Sequence, residues 1–330
     1  MGKALVAEGV EAVAMQLALY GSIAWRHPLG IGQVIDWATR FGWDCIDARG
    51  MSLGVPGDRE RNENAFGYDM LGPQQLRASA RQELRQRLEG AGVPLLCLYC
   101  SSSVNLPGAA GDHYRQLFRD YLQLASDLGA SWVRAINNTV QRPDGSHCTP
   151  AEAYDRTVAG LTQMSSTAAE LGVGLLLENN ENTVTPDADS LLAMKTDLGN
   201  RCRVGIAYDP VNAWFQGLQP QPGLQRLAGQ VDVLHLKNVR RHQSTQWNYM
   251  PRGDYAYEWT ALADGDLDWQ QLLAEAQRGG FAGRVTYEYV NPFKGMPLSY
   301  WDTLPEPEAA AQREAEYLRQ LVDGLPAVNS

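Results

Sequence analysis

Four short apolar runs each close on a residue that can hold a proton or a metal ion: Gly174-Leu-Leu-Leu-Glu178, Val204-Gly-Ile-Ala-Tyr-Asp209, Val233-Leu-His235-Leu-Lys237 and Val285-Thr-Tyr-Glu288. Side chains alternate along a strand, so only every second residue points to a given face. Glu178 then shares its face with Leu176, Asp209 with Ala207 and Gly205, His235 with Lys237, and Glu288 with Thr286. Carboxylates brought together away from water repel one another unless positive charge sits among them. A divalent cation supplies that charge. Glu178, Asp209, His235 and Glu288 offer oxygens and one nitrogen, a set that suits Mn²⁺ first and also accommodates Co²⁺, Mg²⁺ or Zn²⁺. The alternative is that each acid caps the helix after its strand, or pairs with Lys237, Arg240 or Arg241. Lys237 itself either polarises a substrate hydroxyl or forms a salt bridge to one of the acids.

Such a constellation needs a scaffold that delivers strand ends to one place. Short β-branched or aliphatic runs recur along the chain, each followed by a longer stretch with helical spacing, which points to parallel strands with crossover helices. The predicted strands are 15–20, 45–48, 93–99, 132–136, 173–177, 204–208, 231–236 and 284–287. Helices are expected over 33–41, 73–88, 113–128, 151–171, 187–198, 269–277 and 308–321. Gly42, Gly90, Gly129, Gly172, Gly199 and Gly279 stand where helices should end. Eight such units make a single (β/α)₈ TIM barrel, the count and length fitting better than a doubly wound open sheet. We take residues 1–330 as one domain, with 1–14 a short N-terminal extension. The surplus length falls after the second, fourth and seventh strands, as elaborated βα loops at the C-terminal face, where barrels keep their chemistry.

Lys and Arg number 28 against 38 Asp and Glu, a formal charge of −10, which argues against nucleic acid or an anionic membrane as partner. A small-molecule substrate fits better. Lys3, Glu8 and Glu11 interrupt any leader-like apolar stretch, Val6 breaks the acylation pattern, and no run reaches the ~18 residues of a membrane span, so a cytoplasmic location is expected. The five cysteines are scattered and odd in number, and Cys97-x-x-Cys100 lies in an apolar run, so these two read as core thiols. Gly50-Met-Ser52-Leu-Gly54 matches a nucleophile elbow, but Pro56 and Gly57 follow where a hydrolase needs a helix.

Leu-Leu-Leu-Glu178-Asn, Tyr-Asp209-Pro-Val-Asn212, Leu-His235-Leu-Lys237-Asn and Val-Thr-Tyr-Glu288, with Asp264-Gly-Asp-Leu-Asp-Trp269 and Gly280-Phe-Ala-Gly283, resemble the xylose-isomerase-like barrel superfamily of sugar epimerases, hydroxypyruvate isomerase, inosose dehydratase and endonuclease IV. The likeness is specific over about 173–288 and rests on strand-helix order before that. It implies a metal site of Glu178, Asp209, His235 and Glu288, with Glu178 and Glu288 also the acid-base pair on opposite faces of a sugar. Position 184, acidic in many epimerases, is Val184; the common H-x-K-D is H-x-K-N with Asn238; the histidine-rich cluster of endonuclease IV is missing, with Asn212 at one of its positions. Arg241 matches an arginine six residues past the histidine. The resemblance implies enolisation of a sugar or keto-sugar by a sugar isomerase or epimerase. A lyase-type C-glycoside deglycosidase is the alternative, prompted by the loop aromatics Trp247, Tyr249, Tyr255, Tyr257, Trp259, Tyr300 and Trp301, and a non-catalytic sugar-binding barrel is the second. Candidate catalytic residues are Glu178, Glu288, His147 and Lys237, and candidate substrate contacts Asn212, Lys237, Arg241 and Trp247. A homo-oligomer is expected, the aromatic loops offering a contact surface.

Overall fold

The computed structural model describes residues 15–24, 27, 29–50, 70–74, 76–101, 103–136, 148–181, 183–243, 255–289 and 305–326. In chain order these form β1 (Gln16–Tyr20), α1 (Ile31–Phe41), β2 (Cys45–Gly50), β3 (Met70–Leu71), α2 (Ala78–Ala91), β4 (Leu95–Ser101), α3 (Gly108–Leu128), β5 (Trp132–Ile136), α4 (Pro150–Glu170), β6 (Gly174–Glu178), α5 (Ala188–Leu198), β7 (Val204–Tyr208), α6 (Pro210–Phe215), α7 (Pro220–Arg226), β8 (Val233–Leu236), β9 (Asn238–His242), β10 (Ala256–Thr260), α8 (Trp269–Arg278), β11 (Arg284–Tyr287) and α9 (Pro307–Asp323). Strands β1, β2, β4, β5, β6, β7, β8 and β11 pair in parallel in that order, and β1 pairs with both β11 and β2, which closes an eight-stranded parallel barrel. The fold is a (β/α)₈ TIM barrel. The two-residue β3 joins the end of β2, and β9 and β10 form a separate antiparallel hairpin.

Alternation divides each strand between two environments. Tyr20, Cys97, Tyr99, Trp132, Leu176, Ala207 and Val233 meet inside the barrel. Leu17, Leu19, Leu175, Leu177, Ile206, Leu234 and Leu236 face outward into the shell of helices. Removing this apolar surface from water, worth about 25 cal/mol per Å², is the main force that holds strand to helix. α4 begins with a capping box in which Thr149 accepts from the Glu152 N–H and the Glu152 side chain accepts from the Thr149 N–H. Cys97 and Cys100 are both fully buried, in keeping with a core role.

The structure departs from the sequence expectation in several details: β3 is not predicted, α2 begins at Ala78 and not at 73, and α3 begins at Gly108 and not at 113. The segment between β7 and β8, for which no helix is predicted, folds as the short α6 and α7, each opened by a proline at its first turn. The long segment after β8 carries the β9–β10 hairpin. Two helix ends are displaced: Gly90 lies within α2, and Gly92 (φ 68°) makes the left-handed turn instead, while after α8 the left-handed residue is Gly280 (φ 84°), Gly279 having φ −77°. Glycine is needed only where φ is positive, and two glycines within a residue or two of each other do not reveal which one that is.

Candidate metal centre

The polar residues at the ends of β6, β7, β8 and β11 converge on one point. Glu178 closes β6, Asp209 follows β7, His235 lies in β8, and Glu288 follows β11, where Thr286 is in register with His235. All are buried: exposure is 2% for Glu178, 0% for Asp209, 1% for His235 and 2% for Glu288. His235 Nδ1 stands 2.8 Å from Glu178 Oε1, 3.9 Å from Asp209 Oδ2 and 3.8 Å from Glu288 Oε2. One imidazole nitrogen is thus faced by an oxygen of each carboxylate. Lys237 Nζ lies 2.7 Å from Asp209 Oδ2 and 2.9 Å from Glu288 Oε2.

Asp209 divides its two oxygens between tasks. Oδ1 accepts from the N–H groups of Val211 (2.9 Å) and Asn212 (3.0 Å) and so caps α6, while Oδ2 faces the centre. The backbone beneath it is locked. Asn179 accepts from the Asp209 N–H at 2.7 Å and donates to the Asp209 carbonyl at 2.9 Å, and Asn212 Nδ2 donates to the Asn179 carbonyl at 2.9 Å. An amide side chain that both donates and accepts is the group that can hold a peptide unit in this way.

Arg134, from β5, donates through Nη1 to Glu178 Oε2 and lies over the Tyr99 ring, 4.2 Å from its centroid. Tyr20 and Tyr99 flank His235, with ring centroids 5.4 and 5.2 Å away. Deeper in the barrel, Asp47 Oδ2 accepts from Thr286 Oγ1 (2.8 Å) and Tyr99 Oη (3.3 Å) and stands 3.2 Å from Arg284 Nη2.

Burial alone would raise the Glu178 carboxyl, but Arg134, the hydrogen bond to His235 and the Lys237 charge outweigh it and hold Glu178 down at about 2. Glu288 is also held below its usual range: burial opposes, and Lys237 and His235 prevail. Asp209 is raised, because its burial and the two neighbouring carboxylates exceed the pull of Lys237 and His235. Burial works against a charge on His235, yet Glu288 and Glu178 raise it, and Lys237 is raised likewise by Asp209 and Glu288. Burial pushes the Cys97 thiol up, which leaves it inert as a nucleophile at neutral pH.

Ligand atoms of Glu178, Asp209 and His235 all lie within 4.8 Å of one another, close enough to hold a single ion, and Glu288 Oε2 stands 3.8 Å from the same imidazole nitrogen. Hard carboxylate oxygens with one imidazole nitrogen fit a divalent cation. Asn212 lies beside Asp209 but spends its amide on Asn179. Arg241 is exposed on β9, its guanidinium 4.9 Å from the Trp214 ring centroid and 4.5 Å from that of Tyr255. Arg240 turns away, donating to the Asp264 carbonyl at 2.8 Å. His147, Trp247 and Ser52 lie outside the described residues. Asn238 donates to the carbonyls of Leu262 (2.7 Å) and Leu267 (2.9 Å), two bonds that an aspartate could not make, which accounts for H-x-K-N in place of H-x-K-D. Arg134 and Asn179 are absent from the sequence reading. The signal for Arg134 is its parity: two residues past Trp132, it shares the inward face.

Solved structures confirm the architecture at low identity, and at such identity they speak to fold alone. IOLI protein with a binding zinc atom shares 15% identity, with 95% of this chain and 100% of that chain covered and a TM-score of 0.67. D-psicose 3-epimerase with D-tagatose, from Clostridium cellulolyticum H10, shares 13%, with 93% and 99% covered and a TM-score of 0.68. The probable 3-DHS dehydratase AsbF of Bacillus anthracis shares 14%, with 92% and 99% covered and a TM-score of 0.65. No curated protein matches the sequence at a significant level. The profile of the xylose isomerase-like TIM barrel family matches residues 35–321, nearly the whole barrel, and the chain belongs to that family.

Proposed function

We propose that this chain is a divalent-metal-dependent enzyme acting on a sugar or keto-sugar, an isomerase or epimerase that removes and returns the proton beside a carbonyl. The observation that carries the reading is the meeting of one imidazole nitrogen with three carboxylate oxygens at the C-terminal end of the barrel. A zinc-binding protein and a ketose epimerase among the similar folds support it. Mn²⁺ suits the donor set best.

Glu178, Asp209, His235 and Glu288 would hold the ion, which when bound supplies a Lewis acid for a substrate carbonyl and its neighbouring oxygen. Glu178 and Glu288 come from β6 and β11, with β7 and β8 between them, so their carboxylates reach the centre from different sides. Both are carboxylates at neutral pH, the form a general base needs, and the pairing with Arg134 and Lys237 that holds them below their usual range would have to loosen for either to keep a proton. With one on each face of a flat, deprotonated sugar carbon, removal on one face and return on the other inverts that carbon. Lys237, once its ammonium leaves Asp209 Oδ2 and Glu288 Oε2, would donate a hydrogen bond to a substrate oxygen.

Trp259, whose ring centroid is 5.6 Å from Lys237 Nζ, stands with Phe215 and Tyr257 as an aromatic wall. That wall favours one second reading, in which the same carbanion expels an aromatic group from an oxidised glycoside.

The test is deuterium wash-in. Mn²⁺-loaded protein in D₂O, given ketohexoses or a 3-oxo aryl glucoside, should place deuterium at the carbon beside the carbonyl, read by NMR. Glu288→Gln should slow it by about 100-fold or more while the protein still binds metal. Sugar binding with no exchange in wild type would leave a non-catalytic sugar-binding barrel, and no exchange with unchanged NMR of every substrate sinks the reading altogether.

A further inference from the structure

We propose that Lys237 is a resident counter-ion of the metal centre, whose ammonium occupies the carboxylate oxygens a divalent ion needs and must be displaced when that ion binds. The inference rests on the metal-binding reading above and concerns how the site is loaded.

Asp209 has one oxygen to offer, since Oδ1 is taken by the N–H groups of Val211 and Asn212. The remaining Oδ2 is 2.7 Å from Lys237 Nζ. Glu288 Oε2, the oxygen within 3.8 Å of His235 Nδ1, is 2.9 Å from the same Nζ. Two of the three oxygens that face the imidazole are therefore already held by a cation. Lys237 is 4% exposed, so its charge depends on these two carboxylates and not on water, and among the described residues no other carboxylate pairs with it. An ion coordinated to both oxygens would stand in contact with a like charge inside the barrel, an arrangement that is strongly unfavourable. A retreat is built in. The Trp259 ring, 5.6 Å from Nζ, can receive the ammonium over its face.

Two consequences follow from the geometry. The empty barrel keeps its buried acids neutralised and can fold before metal arrives. Metal affinity is set as a difference, the ion's gain less the lysine's loss, so removing the lysine should tighten binding.

The experiment is calorimetric titration of MnCl₂ into EDTA-stripped wild type, Lys237→Met and Lys237→Arg. The expected result is about tenfold or tighter Mn²⁺ binding by Lys237→Met, a lower melting temperature for its metal-free form, and no gain for Lys237→Arg, which keeps the charge. Equal or weaker binding by Lys237→Met, with wild type still binding, overturns the counter-ion role and leaves the metal reading standing. Absence of Mn²⁺ binding in wild type and variant alike overturns both. Should Lys237→Met not fold, a crystal structure of Mn²⁺-soaked wild type decides: Lys237 Nζ should have left Asp209 Oδ2 and Glu288 Oε2 for the Trp259 ring, and an Nζ still on both oxygens beside a bound ion overturns the proposal.

Discussion

Arg134 makes the two glutamates of the centre unequal. Glu178 is bound by a guanidinium and an imidazole, whereas Glu288 has the ammonium of Lys237. Removing one partner of a buried pair leaves an uncompensated charge, so Arg134→Met should destabilise the metal-free protein by about 3–5 kcal/mol at pH 7 in urea titrations. The sign of the pH dependence follows from the shift. Glu178 at about 2 in the folded protein lies below its ordinary 4.5, so it contributes stability that is complete above 4.5 and is lost as pH falls through that value toward 2. In the variant burial prevails, Glu178 takes up its proton earlier, and the gap between the two proteins should narrow as pH is lowered from 7 toward 3. A gap that stays constant over that range would mean that Arg134 acts by filling space. Glu178, Asp209, His235 and Glu288 were legible because each ends an apolar run with its facing fixed by alternation. Asn179 was not, because its partner is the backbone of Asp209, 30 residues away, and nothing local marks that bond. Asp209 was ambiguous for a physical reason: capping and facing the centre are both true of it, one oxygen each.

β6 begins on Gly174 and β7 has Gly205 as its second residue because β5 places an indole across them. A Cβ at Gly174 would lie 2.4 Å from two ring carbons of Trp132 and 2.9 Å from Arg203 Nε, and one at Gly205 would lie 2.7 Å from that ring, over which the Arg203 guanidinium sits at 4.1 Å. The ring is buried in the barrel interior with Leu176, Ala207 and Val233. Gly174→Ala should therefore cost about 1–3 kcal/mol and lower the thermal midpoint while leaving Mn²⁺ affinity near wild type, since Glu178 is four residues along the strand. If calorimetry finds Mn²⁺ affinity lost in step with stability, the barrel floor and the metal centre are one unit. The alternation of apolar strand and helical spacing was readable because each core strand is buried on both faces and each long helix on one. α6, α7 and the β9–β10 hairpin were not readable. α6 is six residues capped by a site residue, and β9 starts straight after Lys237, so neither shows a periodic run of its own.

Closure of the barrel brings together residues that the sequence holds far apart. Thr286 donates to Asp47 across 239 positions, and Trp43 donates to the Ala311 carbonyl of α9 across 268, which ties the last helix to the first unit. No local pattern encodes those bonds, so the eight-unit count was legible while the polar column beneath His235 was not. The same closure couples the metal centre to global stability. Its proposed ligands stand in or just past four barrel strands, β6, β7, β8 and β11, so unfolding would scatter them and a bound ion would favour the folded chain. At 100 times its Kd an ion that binds only the folded form adds about 2.7 kcal/mol. For 330 residues, with about 2.1 cal/mol/K of unfolding entropy each, that raises the thermal midpoint by about 4 °C. Mn²⁺ added to stripped protein should produce a shift of this size in a calorimetric scan, and EDTA should reverse it. Asp209→Asn keeps an oxygen to cap α6 but loses the charge that faces the centre, so its own fold should persist while the Mn²⁺ shift vanishes. A variant that retains the full shift would show that the ion binds elsewhere, and wild type that does not respond to Mn²⁺ would return the four residues to the role of charge-paired struts between Arg134 and Lys237.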